Sequence, residues 1–288
     1  MFPIPRTLGV SFDFLKCFSW GNHNTIFGDC GLQVKMYKYY SSKLRGVDFD
    51  GMTSDITAAP EGSVILFHAS AHNPTGADPS KDQWNELSDL CMKKNHLVLF
   101  DMAYQGFASG NPDLDAYSVR KFAEDGHDVM LAQSFAKNFG LYGQRVGAAS
   151  IVTANPKETS AVKSQAKIIA RAMYSNPPIH GARIVKNILT DPKLKTQWKK
   201  EVQEMAHRII LMRRMLRERL EKLGSSHPWD HITGQIGMFC YSGLSAEQVE
   251  RLKKEFHIYM TSNGRISMAG LSSKTVDYLA EAIHTVTK

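Results

Sequence analysis

Residues 132–148 read AQSFAKNFGLYGQRVGA, with one lysine, Lys137, set among small and aromatic side chains and one arginine, Arg145, two turns later. A surface lysine needs no such setting. An amine among apolar neighbours is desolvated, which favours its neutral form. A neutral amine is a nucleophile toward aldehydes.

Two further loops have the same construction, a polar residue directly after an apolar run. They are HNPTG at 72–76 and DMAYQGF at 101–107. Asp101 closes the run HLVLFD, where an acid is buried and needs a positive partner or several donors. Taken singly, Asp101 is as readily a helix cap, Asn73 a turn residue before proline, and Lys137 a solvated surface lysine. Three such loops at successive strand ends read differently, because open α/β sheets bind ligands at the carboxyl ends of their strands. The aldehyde that needs a desolvated lysine and an acid beside a ring nitrogen is pyridoxal phosphate. Ser134 and Arg145, close to the lysine in sequence, suit its phosphate. His68 and His72 flank the HNPTG loop and are read as packing or supporting residues, since no third ligand at zinc-like spacing accompanies them.

The elements that must position these loops follow from periodicity. Apolar runs of strand length occupy residues 31–40, 63–70, 96–101, 128–133 and 147–153. Residues 80–95 start with a serine cap and carry Trp84, Leu87 and Cys91 on one face, which predicts a helix. Alternation of strands and helices implies an α/β fold with a mainly parallel sheet and helices on both faces. Beyond Asn176-Pro177-Pro178 the pattern changes. Residues 196–223 form a long amphipathic helix, with Val202, Met205, Ile209, Met212, Leu216, Leu220 and Leu223 on one stripe and Gly224 ending it. Strand-like IGMFCY, a helix over 245–256, strand-like IYMTS and a helix from about Ser273 complete a smaller α+β carboxyl-terminal domain. The division expected is 1–200 for the large domain and 201–288 for the small one.

Composition narrows the function classes. The 288 residues are 43% hydrophobic and 22% charged, ordinary for a soluble globular chain. The net charge is +7, but the basic residues are dispersed. Their densest stretch, residues 199–222, interleaves Glu201, Glu204, Glu218 and Glu221 and reads as a solvated helix face, not a nucleic-acid surface. Cys17, Cys30, Cys91 and Cys240 stand alone, which predicts reduced thiols without a disulfide framework or zinc site. No apolar run is long enough to span a membrane. The first twenty residues, interrupted by Asp13, make a poor secretory signal.

SFAKNFGLYGQRVGA, HNPTG, DMAYQGFASG, MYSNPP, QIGMFCYSGL and GRISMAGL together resemble the aspartate aminotransferases, class I pyridoxal-phosphate enzymes of fold type I. The resemblance runs from about Trp20 to Lys288. It implies the large pyridoxal-phosphate domain plus the smaller carboxyl-terminal one, a homodimer, and amino transfer between L-aspartate and 2-oxoglutarate. By resemblance Lys137 is the covalent anchor and proton shuttle. Asp101 partners the pyridine nitrogen, with His23 behind it. Tyr104 and Asn73 donate to the ring oxygen, Trp20 stacks on the ring, and Ser134 and Arg145 hold the phosphate. Arg265 is matched to the substrate α-carboxylate and Arg171 to the distal carboxylate across the dimer, with Trp20 and Asn73 also lining the substrate site. Two planar anions suit two guanidinium forks. Read without the family, Arg265 is a surface arginine after a glycine turn and Arg171 a helix carboxyl-terminal cation. Similarity to mitochondrial members implies that compartment, with the cytoplasm as the alternative.

Family members carry a segment before the tryptophan motif that includes an arm over the partner subunit and a Ser-Gly-Thr-type phosphate loop. Here nineteen residues precede Trp20, with no such loop among them. The expectation is an amino-terminally shortened member with exposed apolar surface, an unpaired strand edge and a weakened hold on the cofactor, at about 1.5–3 kcal/mol per lost charge-assisted bond. A non-catalytic fold remnant or interaction partner with weak or no cofactor is the alternative.

Overall fold

A computed structural model describes residues 13–17, as backbone, and 19–288. The stretch read against a secretory leader, through Phe12, and the Cys17 thiol lie outside the described residues.

The sheet half begins with β1 (Asp13–Cys17), α1 (Asn22–Asp29), β2 (Gln33–Tyr37), the short hairpin β3 (Tyr40–Ser41) and β4 (Gly46–Val47), and α2 (Phe49–Ala58). It continues through β5 (Val64–His68), α3 (Lys81–Lys93), β6 (Leu97–Met102), α4 (Pro112–Asp115), α5 (Tyr117–Glu124), β7 (Val129–Ser134) and β8 (Gly147–Ile151). Six strands lie in the order β2-β1-β5-β6-β7-β8. All neighbours are parallel except β7 and β8. The mainly parallel sheet is therefore found, closed at one end by an antiparallel strand.

Local chemistry explains the boundaries. Ser80 accepts from the Gln83 amide and Gln83 answers the Ser80 amide, a reciprocal cap that starts α3. Asp48 caps α2 in the same way, from one side only. Val98, Phe100 and Met102 alternate toward one face of β6, where they meet Ile65, Phe67, Trp84, Leu87 and Phe122 in a buried core. The Phe67, Trp84, Phe100 and Phe122 rings pack edge-on or tilted within 5.2–6.2 Å of one another. The other side of the same strand points Asp101 toward His23 of α1.

The second half holds α6 (Pro156–Tyr174), α7 (His180–Thr190), α8 (Pro192–Lys222), α9 (Asp230–Gly234), β9 (Phe239–Tyr241), α10 (Ala246–Phe256), β10 (Arg265–Ser267) and α11 (Val276–Thr287). Its core gathers Ile209, Met212, Leu216 and Leu220 of α8 with Leu252, Met268, Val276, Ala280 and Ile283. That core also reaches back to Ala71, Tyr104 and Phe107 at the strand ends.

Several expectations need correction. α8 starts at Pro192, not 196, because Asp191 accepts from the Lys193 and Leu194 amides and proline suits the first helical position. Met205 and Leu223 leave the expected stripe, at 41% and 38% exposed. The IYMTS strand does not form. His257 turns left-handed at the end of α10, the Ile258 amide bonds back to Leu252, and β10 takes the place beside β9. Alternating burial there has no partner strand to use it. IGMFCY narrows to Phe239–Tyr241. Cys30, Cys91 and Cys240 are free thiols. No helix among the described residues is long and apolar enough to cross a membrane.

Candidate active site

Three strand ends converge. β5 leads into the HNPTG loop, whose Asn73–Pro74 bond is cis. Asp78 holds this loop by accepting from the Ala71 and His72 amides at 2.6 and 2.9 Å, and burial pushes its carboxyl up to about 6. Gly76, at φ +65°, passes so close to the carboxyl-terminal half that a Cβ would stand 2.7 Å from the Phe239 oxygen and 2.8 Å from that of Ile236. β6 leads into the loop of Tyr104, organised by Asp115. That carboxylate is buried and accepts from the amides of Gly106, Ala108 and Ser109 at 2.8–3.0 Å. β7 leads into the Lys137 loop. Asn138 is tied to the Gln105 carbonyl, and Trp198 of α8 donates to the Asn138 carbonyl at 2.9 Å while stacking on Phe139 at 4.6 Å.

Asp101 accepts from His23 Nε2 at 2.9 Å, and His23 Nδ1 lies 2.9 Å from Ser19 Oγ. A carboxylate only accepts, so Nε2 carries a proton. Burial works to raise the Asp101 pKa. The His23 hydrogen bond and the pull of His68, His23 and Lys137 outweigh it and hold the carboxyl below the usual range. His23, His68 and Asp101 each bring a ligand-type atom within 4.8 Å of the others. The hydrogen bond and the edge-on His23–His68 contact at 5.4 Å account for that closeness.

Lys137 Nζ lies 5.0 Å from the centre of the Tyr104 ring. Burial lowers its pKa, repulsion from Arg145 adds to that, and Asp101 partly offsets both. Tyr104 is buried, and burial, with Asp101 nearby, pushes its hydroxyl up to about 12, so it remains a donor at neutral pH. Asn73 Nδ2 reaches the Tyr104 hydroxyl at 3.4 Å, while its Oδ1 accepts from Arg265 Nη1 at 3.0 Å. The Arg265 guanidinium lies over the Phe239 ring at 4.5 Å.

Of the remaining candidates, Trp20, Arg145 and Arg171 are exposed and Ser134, at the end of β7, is half-buried. Trp20 is 42% exposed, edge-on to His23 at 5.4 Å. Ser134 Oγ accepts the Ala136 amide at 3.2 Å. Arg145 is exposed, left-handed at φ +47°, and donates to the Tyr142 carbonyl. Arg171 is exposed in the last turn of α6 and donates to Ser175 Oγ at 2.6 Å. No contact among the described residues joins Arg171 to the others. Sequence reading missed Asp78, Asp115, Asn138 and Phe239. Asp115, behind Asn111-Pro112, carries the signal of a capped turn, and the others carry none.

The sequence matches the family model described as aminotransferase class I and II over residues 15–283. The chain belongs to the class I and II aminotransferase family. Within that family, the mitochondrial aspartate aminotransferase of Dictyostelium discoideum is 58% identical over 270 residues, covering 94% of this chain and 63% of that protein. The chain thus spans less than two thirds of that relative's length. The solved mitochondrial aspartate aminotransferase from Trypanosoma brucei superposes with a TM-score of 0.96 at 46% identity, covering 98% of this chain and 74% of that one. An aromatic-amino-acid aminotransferase from Burkholderia pseudomallei, solved covalently bound to pyridoxal phosphate, gives 0.96 at 42% identity, covering 98% and 71%.

Proposed function

We propose that the chain is an aspartate transaminase that holds pyridoxal 5'-phosphate at the three strand ends and moves an amino group between L-aspartate and 2-oxoglutarate, giving oxaloacetate and L-glutamate. The observation that carries this reading is Lys137, with its amine pKa lowered, in the electrostatic reach of an Asp101 carboxylate kept ionised by His23.

The donor set fits the cofactor group by group. Lys137 suits the aldehyde, Asp101 the ring nitrogen, and Asn73 and Tyr104 the ring oxygen. Trp20 suits the ring face, and Ser134 and Arg145 the phosphate. When bound, the cofactor supplies an electron sink for negative charge at the substrate Cα. Asp101 keeps a proton on the ring nitrogen by remaining anionic. Lys137 carries the proton to and from Cα, a task for an amine with a lowered pKa. Tyr104 stays protonated and donates. Arg265 grips the α-carboxylate, pre-aimed by Asn73 Oδ1 and the Phe239 ring.

Arg171 is assigned to the distal carboxylate across a homodimer boundary. This choice favours dicarboxylic substrates over aromatic ones. The exposed apolar residues of α6 and its flank, Ile168, Met173, Tyr174 and Ile179, are the kind of surface a second subunit covers. The large domain is taken as 1–200 and the small one as 201–288, with α8 running through both. Mitochondrial names among the relatives support that compartment, with the cytoplasm as the alternative.

The test is the visible absorption of the purified chain with added pyridoxal 5'-phosphate, beside Lys137→Ala. A bound-cofactor band in the parent, absent from the variant and altered by aspartate, is expected. A parent without the band overturns the assignment and leaves the non-catalytic reading.

A further inference from the structure

The carboxylate role of Arg265 raises the question of what fixes its position. Its own contacts, Asn73 Oδ1 and the Phe239 ring, act at the tip of a long side chain. Its backbone is fixed from behind. Gly264, one peptide earlier, takes φ +83°, and a Cβ there would stand 2.9 Å from the Leu244 oxygen. The Gly264 carbonyl accepts twice from Ser242, from the hydroxyl at 2.6 Å and from the amide at 3.0 Å. Ser242 is 2% exposed, and its hydroxyl also accepts from the Leu244 amide at 3.2 Å.

Ser242 is held in turn. Its carbonyl lies 2.9 Å from His231 Nε2, and His231 Nδ1 lies 3.2 Å from Arg45 Nη1. A carbonyl only accepts and a guanidinium only donates, so the ring is the Nε2-protonated neutral tautomer. Burial, with Arg45 adding repulsion, pushes the His231 pKa down to about 4, so the ring stays neutral near pH 7. Arg45 comes from the β3–β4 hairpin of the sheet half and also donates to the Pro228 carbonyl at 2.6 Å. One relay therefore runs from that hairpin through His231, Ser242 and Gly264 to Arg265.

We propose that His231 and Ser242 are positioning residues for Arg265, setting how well its guanidinium meets a substrate carboxylate. They touch no substrate themselves. The inference rests on the assignment of Arg265 to that carboxylate. Because the Ser242 amide keeps its bond to Gly264 in Ser242→Ala, the β9–β10 pairing survives while half of the anchor is lost.

The experiment titrates succinate, a dicarboxylate without an amino group, into the full chain with pyridoxal 5'-phosphate added, by calorimetry. It compares the parent with Ser242→Ala, His231→Leu, His231→Gln and Arg265→Ala. Thermal melts confirm that each is folded, and steady-state kinetics give KM and kcat. Ser242→Ala and His231→Leu are expected to bind succinate about three- to tenfold more weakly, the loss of one hydrogen bond's worth of alignment, and to raise KM more than they lower kcat. His231→Gln, whose amide nitrogen can donate to the Ser242 carbonyl, is expected to stay near the parent. Parent-like binding in Ser242→Ala and His231→Leu, with Arg265→Ala weak, overturns the positioning proposal alone. Glutamine as poor as leucine overturns it too. Unchanged binding in Arg265→Ala removes the carboxylate assignment and the inference with it.

Discussion

Asp101 and Arg171 are charged groups assigned to one site, yet their surroundings share little. Asp101 stands one residue before the end of a central strand, receives a histidine hydrogen bond and lies among groups whose fields hold it ionised. Arg171 hangs from α6, a helix none of whose residues is buried, and among the described residues its guanidinium bonds only to a serine four residues on. The same split separates Asn73, Tyr104 and Arg265 from the exposed Arg145. One half of the site is pre-aimed by packing, so its groups need little reorganisation when a ligand arrives. The other half is ordered by whatever binds it and acts through charge that salt can screen.

The sharpest way to break this comparison is Asp101→Asn. It removes a fixed charge while leaving the shape, and transaminase activity is expected to fall by about 10²–10³-fold, the usual worth of one pre-aimed electrostatic group. A change under tenfold would mean that the packed half is scaffolding. Next is Gly76→Ala. A left-handed alanine pressed against two carbonyls should lower unfolding free energy in urea by about 3 kcal/mol, and the packed half should loosen with it.

A smaller effect is expected from Asp78. Its folded pKa, near 6, lies above the ordinary value of 3.8, so the folded chain binds the extra proton between about pH 4 and 6. Its contribution to stability is present at the acid end and is lost as pH rises through that window. The stability difference between the parent and Asp78→Asn should therefore shrink from pH 4 to 6, as followed by urea melts at each pH. Smallest is Arg171→Ala. Unfolding free energy should stay within about 0.5 kcal/mol, while KM for aspartate rises and loses much of its dependence on ionic strength.

The packed half was partly legible in the sequence. Apolar runs followed by the loops of Asn73, Asp101 and Lys137 announce strand ends, because a parallel strand buried on both faces reads as continuous hydrophobicity. The serine cap at Ser80 and the glycine after α8 were legible for equally local reasons. The supports were not. Asp78 and Asp115 work by accepting from backbone amides, and nothing in an isolated aspartate says which amides will face it. His231 and Ser242 matter through residues far along the chain. α6 went unassigned although Val162, Ala166, Ile169 and Met173 recur at helical spacing, and none of its residues is buried. IYMTS misled for the opposite reason, since alternation signals a strand only when a neighbour is there to pair.

α8 has one more consequence. Its 31 residues, at 1.5 Å each, make a rod of about 46 Å. Near one end Trp198 grips the Lys137 loop, and near the other Arg219 is bonded to Asp277 of α11. Such a rod behaves as a lever. A tilt of about 5° sweeps one end by about 4 Å relative to the other. A tilt started beside the lysine would thereby be geared into travel of the carboxyl-terminal helices, and a clamp on those helices would be felt at the amine.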